Sequence, residues 1–143
     1  MDQLEQLLCL NLEGAAARRP LGLATGRTME PLYAALVERL LGWPPGDLAA
    51  LRRSWCSFNL DEYLGLPAGD PRRYSTYMSR HLGEPLQLPP ETLHLPSGGA
   101  ADAHGAAQAY AAELNACGGV GVQLLGLGNN KQIGQINSGV FLA

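Results

Sequence analysis

Two neighbouring carboxylates, Asp61 and Glu62, lie within the stretch Phe58-Asn59-Leu60-Asp61-Glu62-Tyr63-Leu64-Gly65-Leu66-Pro67. Before them, Ser54-Trp55-Cys56-Ser57-Phe58 has the apolar, aromatic make-up of a short buried strand; after them, Gly65 and Pro67 break regular structure. The pair falls where a strand ends and a loop begins, which is where open α/β sheets bind ligands. A carboxylate partly withdrawn from water at such a place has a raised pKa and suits proton transfer. The same residues also read as ordinary loop charges. A second candidate lies upstream, where the apolar run Leu21–Ala24 meets Thr25-Gly26-Arg27-Thr28 and then a helix. Strand, glycine turn and helix present backbone N–H groups and a positive helix end to an anion. Thr25 and Thr28 add hydroxyl donors, and Gly26 permits close approach. One glycine and two threonines describe a structural turn equally well.

The elements that must position these residues follow from hydrophobic spacing. Residues 2–17 predict a helix, with Leu4, Leu7, Leu8, Leu12 and Ala15 on one face until Arg18-Arg19-Pro20 ends it. Leu21–Ala24 predicts the first parallel strand, followed by a helix burying Leu32, Tyr33, Leu36, Val37 and Leu40. Gly42 to Gly46 forms a loop, and Asp47 suits the cap of a short helix through Arg52. After the acidic loop, Asp70 and Pro71 fit the N-cap and first turn of a helix to about Leu82, with Tyr74, Tyr77 and Met78 read as core. Pro85 to Pro90 reads as a loop, Thr92–Leu95 as an edge strand with His94 toward solvent, and Ser97-Gly98-Gly99 as a turn. Ala101 to Cys117 predicts a helix presenting Ala107, Tyr110, Ala111 and Leu114, and Val120–Leu127 a central strand apolar on both faces. Strands alternating with helices indicate a doubly wound, Rossmann-like parallel sheet in a three-layer α/β/α arrangement.

The chain has 143 residues, 46% of them hydrophobic and 16% charged, with a net charge of −3. That is the size of one domain with a real core. Scattered arginines form no basic stripe, so a nucleic-acid partner is not expected. Cys9, Cys56 and Cys117 have no metal-type spacing and suit free thiols in a reducing cytoplasm. No stretch is long enough to span a membrane, and Leu7–Leu10 is too short for a signal sequence. The three histidines lie far apart, giving no metal site. No G-x-G-x-x-G fingerprint follows the first strand, so no dinucleotide cofactor is indicated.

The stretch Phe58 to Pro67, followed by Arg73-Tyr74-Ser75-Thr76-Tyr77-Met78, resembles the glucosamine-6-phosphate deaminase (isomerase) family. The related 6-phosphogluconolactonases share the fold but typically read Asp-Glu-Arg where this chain has Asp61-Glu62-Tyr63. The resemblance implies conversion of an amino-sugar phosphate to fructose 6-phosphate with release of ammonia, without metal or redox cofactor. It assigns the C2 proton shuttle to Asp61 and makes Glu62 a weaker candidate, counted with the substrate-binding residues. Thr25, Gly26 and Thr28 match the family's phosphate-binding segment; Arg27 stands where Ser or Gly is usual, and could contact phosphate or crowd the loop. The implied partner is a small-molecule sugar phosphate, with homo-oligomerisation left open.

The resemblance weakens toward the end of the chain. The family's second catalytic segment normally reads Gly-x-Gly-x-Asp-Gly-His-Ile-Ala-Phe-Asn-Glu-Pro. Here its Asp, His and Glu are occupied by Asn130, Gln132 and Asn137. Gln132 hydrogen-bonds but has no pKa near 7, so it cannot open a pyranose ring as acid or base. The chain corresponds to roughly the first half of a family member. We therefore expect a single, incomplete sugar-phosphate isomerase-type domain over 1–143, with an atypical tail over 131–143, and a central strand lacking its neighbour. The alternatives are a catalytically inactive relative or sugar-phosphate-binding module and, third, a lactonase.

Overall fold

The computed structural model describes Leu4 and Gln6, residues 19–99 and 101–126, and the backbone of 141–142. Strands β1 (Leu21–Leu23), β2 (Ser57–Asn59), β4 (Leu93–His94) and β5 (Val122–Gln123) form a parallel sheet in the order β4-β2-β1-β5. A second, two-stranded sheet pairs β3 (Asp61–Glu62) with β6 (Phe141–Leu142). The helices are α1 (Glu30–Leu41), α2 (Pro45–Ser54), α3 (Tyr74–Met78), α4 (Glu84–Leu86) and α5 (Ala103–Ala116). This is the α/β plan expected from the sequence. Leu4 and Gln6 are helical; the rest of the expected helix over 2–17 lies outside the described residues.

Strand alternation separates the two faces of the sheet. Register pairs Leu21 with Ser57 and Leu23 with Asn59, while Gly22 pairs with Phe58 and with Gln123. Leu21 and Leu23 join Tyr33, Leu36 and Leu40 of α1, Leu48 and Leu51 of α2, and Met78, Leu82 and Leu86 in the main core. Each such fully buried aliphatic side chain favours folding by about 1.5–3 kcal/mol. On the opposite face Phe58 stacks on His94, ring centres 4.3 Å apart, and meets Tyr110 of α5 at 5.3 Å.

Several local readings are corrected by tertiary contacts. Asp47 lies in the first turn of α2, whose N-cap is Pro44; Pro45 pre-sets the helical φ and starts the helix three residues earlier. Asp70 caps no helix, because its carboxylate binds the Arg72 amide and guanidinium at 2.8–3.0 Å. The helix starts instead at Tyr74. It continues through a wider turn, Ser79–Gly83, into α4, so Glu84–Leu86 is helical where the sequence suggested loop. Pro85 cannot donate to the His81 carbonyl, and the Glu84 amide bonds to Ser79 O instead. His94 is half-buried, stacked on Phe58 and held by Glu113 at 2.7 Å, and so is only partly open to solvent. Regular pairing in β5 covers only Val122–Gln123, half-buried and outermost in the sheet among the described residues.

Candidate active site

The strand order reverses at β1, with β2 on one side and β5 on the other. The carboxyl ends of strands at such a switch point are where open parallel sheets bind ligands. The loop after β1 starts there. Gly26 has φ +116° and Met29 N–H donates to Gly26 O at 2.9 Å, turning the chain into α1. A side chain at that φ would be strained, which is why glycine stands there. Gly26, Arg27 and Thr28 are exposed, whereas Thr25 is half-buried. Gly126, beyond β5, lies so close that an added Cβ would meet the Thr28 hydroxyl and Met29 Sδ. The first glycine of the second resemblance segment thus touches the loop after β1. Asn130, Gln132 and Asn137 lie outside the described residues.

Asp61 and Glu62, adjacent on β3, project to opposite sides and meet different environments. Asp61 is half-buried, and its carboxyl is held above the usual carboxylate range by burial and, secondarily, by the charge of Glu62. Glu62 is fully buried. Its Oε1 accepts the N–H groups of Tyr63 at 2.9 Å and Tyr74 at 2.8 Å, and its Oε2 accepts that of Ser75 at 2.9 Å. Arg73 Nε lies 3.6 Å from Oε2, an ion pair beyond hydrogen-bond distance. Glu62 thus closes the N-terminus of α3, where a negative charge is favoured.

Tyr74 links the two halves of the site. Its hydroxyl donates to Tyr63 Oη at 3.3 Å, with ring centres 4.8 Å apart. Its pKa is pushed up to about 12 by burial first, then by the bond to Tyr63 and the charge of Asp61, against a bond from Thr25 that lowers it. The phenol is therefore a neutral donor standing between Asp61 and the threonine loop. The spacing of Tyr74 and Tyr77 suggested core positions; Met78 is core, while the two tyrosines are half-buried and reach the β1 loop. No local signal announces this, because their partners lie some fifty residues away in the chain. Glu62 as a helix cap is equally illegible, being twelve residues from the first turn it caps.

Gly98 brings the Pro96–Gly99 loop over the acidic strand. Its carbonyl accepts Gly65 N–H at 2.9 Å, and an added Cβ would strike Tyr63 O and the Glu62 side chain. A separate cavity of about 330 Å³ is lined by Ser75, Ser79, Glu84, Leu88 and Leu93 and contains neither Asp61 nor the threonine loop. Among the described residues, no group of three His, Cys, Asp or Glu side chains could hold a metal ion. No helix among them is long and apolar enough to cross a membrane. Cys56 and Cys117 are free thiols, and Cys56 is pushed up to about 11 by burial and the adjoining Cys117 thiol.

No protein-family model matches the chain. Glucosamine-6-phosphate deaminase from an Arthrobacter species (strain FB24) is 37% identical over 99% of this chain and 54% of its own length. Its counterpart from Lysinibacillus sphaericus is 40% identical over 80% of this chain and 46% of its own. That from Streptomyces avermitilis is 42% identical, also over 80% of this chain, and over 42% of its own. A solved structure of a monomeric glucosamine-6-phosphate deaminase of the NagB superfamily superposes with a TM-score of 0.65 at 27% identity, over 90% of this chain and 52% of that one. The chain spans about half the length of the curated relatives it matches. By sequence and by fold it is similar to about half of a glucosamine-6-phosphate deaminase.

Proposed function

We propose that this chain is the sugar-phosphate half-site of a glucosamine-6-phosphate deaminase, with Asp61 as its base. Thr25, Gly26 and Thr28 receive the phosphate, with Arg27 as an additional charge-assisted donor. Asp61 removes the C2 proton of the open-chain amino sugar and returns it to C1 through an enol-type intermediate. The resulting ketimine is hydrolysed to the ketose phosphate, releasing ammonia. Glu62 acts here as a positioning residue, through α3 and Tyr63, and not as a substrate contact. The single observation that carries this reading is α3, which starts on Glu62, the neighbour of Asp61, and whose Tyr77 hydroxyl reaches Gly26 O of the threonine loop. A half-buried carboxyl of raised pKa beside such a loop is suited to proton abstraction.

The second reading is a sugar-phosphate-binding relative that does not turn over. It is favoured by Asn130, Gln132 and Asn137 in place of the family's Asp, His and Glu. The two are separated by incubating the chain with glucosamine 6-phosphate in heavy water and following C2 exchange and ammonia by NMR. Uncatalysed ring opening supplies open-chain substrate, so Asp61 can act without a ring-opening acid. The deaminase reading expects exchange that disappears in Asp61→Asn. Phosphate binding without exchange would leave the binding module.

A further inference from the structure

Two phenols grip the loop after β1 from the side of the main core. Tyr33 of α1 donates to the Ala24 carbonyl, and Tyr77 of α3 donates to the Gly26 carbonyl at 2.9 Å. Their rings meet edge-on with centres 6.4 Å apart. Gly26 O also accepts Met29 N–H at 2.9 Å, so both of its lone pairs are engaged. In a trans peptide the C=O and the following N–H point in opposite directions. Drawing Gly26 O toward Tyr77 therefore turns Arg27 N–H away from it, and no acceptor among the described residues takes that N–H. Tyr77 sits on a firm base, since the next residue, Met78, and Leu82 are fully buried.

On the sugar-phosphate reading above, we propose that Tyr77 is a positioning residue for anion binding, its hydroxyl holding the Gly26–Arg27 peptide with N–H toward the phosphate and C=O away. A carbonyl oxygen rotated toward a phosphate would repel it, and Gly26, with no Cβ, is the residue freest to let that peptide rotate. Tyr77 touches no ligand and acts only through this peptide. Its pKa is raised to about 12 by burial and then by the charge of Glu30, so it remains a donor across the neutral range.

Tyr77→Phe keeps the ring and removes the hydroxyl. Inorganic phosphate is titrated into wild type and variant by phosphorus NMR, the Arg27 amide is followed by nitrogen-15 correlation, and C2 exchange is measured against glucosamine 6-phosphate concentration. The expected result is phosphate binding about five- to tenfold weaker in the variant, the loss expected for one hydrogen bond. The half-saturating sugar-phosphate concentration rises by the same factor, so the loss falls on affinity and not on the rate at saturation, and the Arg27 amide resonance moves. A merely structural tyrosine would lower the melting temperature and leave phosphate affinity unchanged. That outcome, with wild type binding phosphate, overturns the role of Tyr77 and leaves the sugar-phosphate reading intact. A wild-type chain indifferent to phosphate overturns both, while phosphate binding sensitive to Tyr77→Phe without C2 exchange upholds Tyr77 and removes only Asp61 as base.

Discussion

Asp61 is held in a state that costs stability and suits chemistry. Its folded pKa lies above the unfolded value because burial and Glu62 disfavour the charge. A carboxyl raised in this way contributes stability that is fully present below its unfolded pKa and lost as pH rises through the folded one. Asp61→Asn should therefore melt at an equal or higher temperature than wild type at pH 7, an advantage that vanishes below about pH 4. Thermal melts at the two pH values check this. The same substitution should slow C2 exchange by about 10² to 10⁴, the usual worth of a general base. In wild type, exchange should rise with pH through an apparent pKa above the ordinary carboxylate range. The neighbouring Glu62 holds the structure together through its hydrogen bonds. Glu62→Ala leaves the amides of Tyr63, Tyr74 and Ser75 unpaired and Arg73 without its partner, and should cost about 3–5 kcal/mol in denaturant titration.

At the scale of elements, α3 is the part that joins one loop to the other. Its N-terminus is fixed by Glu62, its Tyr74 and Tyr77 reach the β1 loop, and its Met78 anchors in the core. The first turn of α3 has no side-chain cap of its own, so its start depends on a strand distant in sequence. The Gly98 loop covers this junction. Gly98→Ala would press a methyl against the Tyr63 carbonyl, which belongs to the backbone and cannot rotate aside as a side chain can. About 1–3 kcal/mol of destabilisation is expected from such overpacking, read from the shift in denaturation midpoint, together with slower C2 exchange as the acidic strand moves. Both effects should be absent in Gly99→Ala, where an added Cβ meets nothing within 4 Å.

Across the whole molecule, the parallel sheet brings three separate segments to one end: the threonine loop, the acidic strand and the chain leaving β5 at Gly126. The third segment leads to Asn130, Gln132 and Asn137. Replacing them together by Asp, His and Glu should raise C2 exchange by up to about 10², the lower range of general acid–base contributions, as ring opening becomes assisted. NMR exchange at equal substrate concentration checks this, and Gln132→Leu should give no gain. The sequence by itself determined the resemblance, the alternation of strand and helix, the placement of Asp61 just past the buried strand β2, though on the short strand β3 and not in a loop, and the glycine turn of the threonine loop. These are written in neighbouring residues, because period, turn chemistry and strand composition are local properties. Only the tertiary structure decided that Glu62 caps α3, that Tyr74 and Tyr77 reach the loop after β1, and that His94 stacks on Phe58. Each of those depends on a partner far along the chain, and such a contact leaves no periodic trace in the residues that make it.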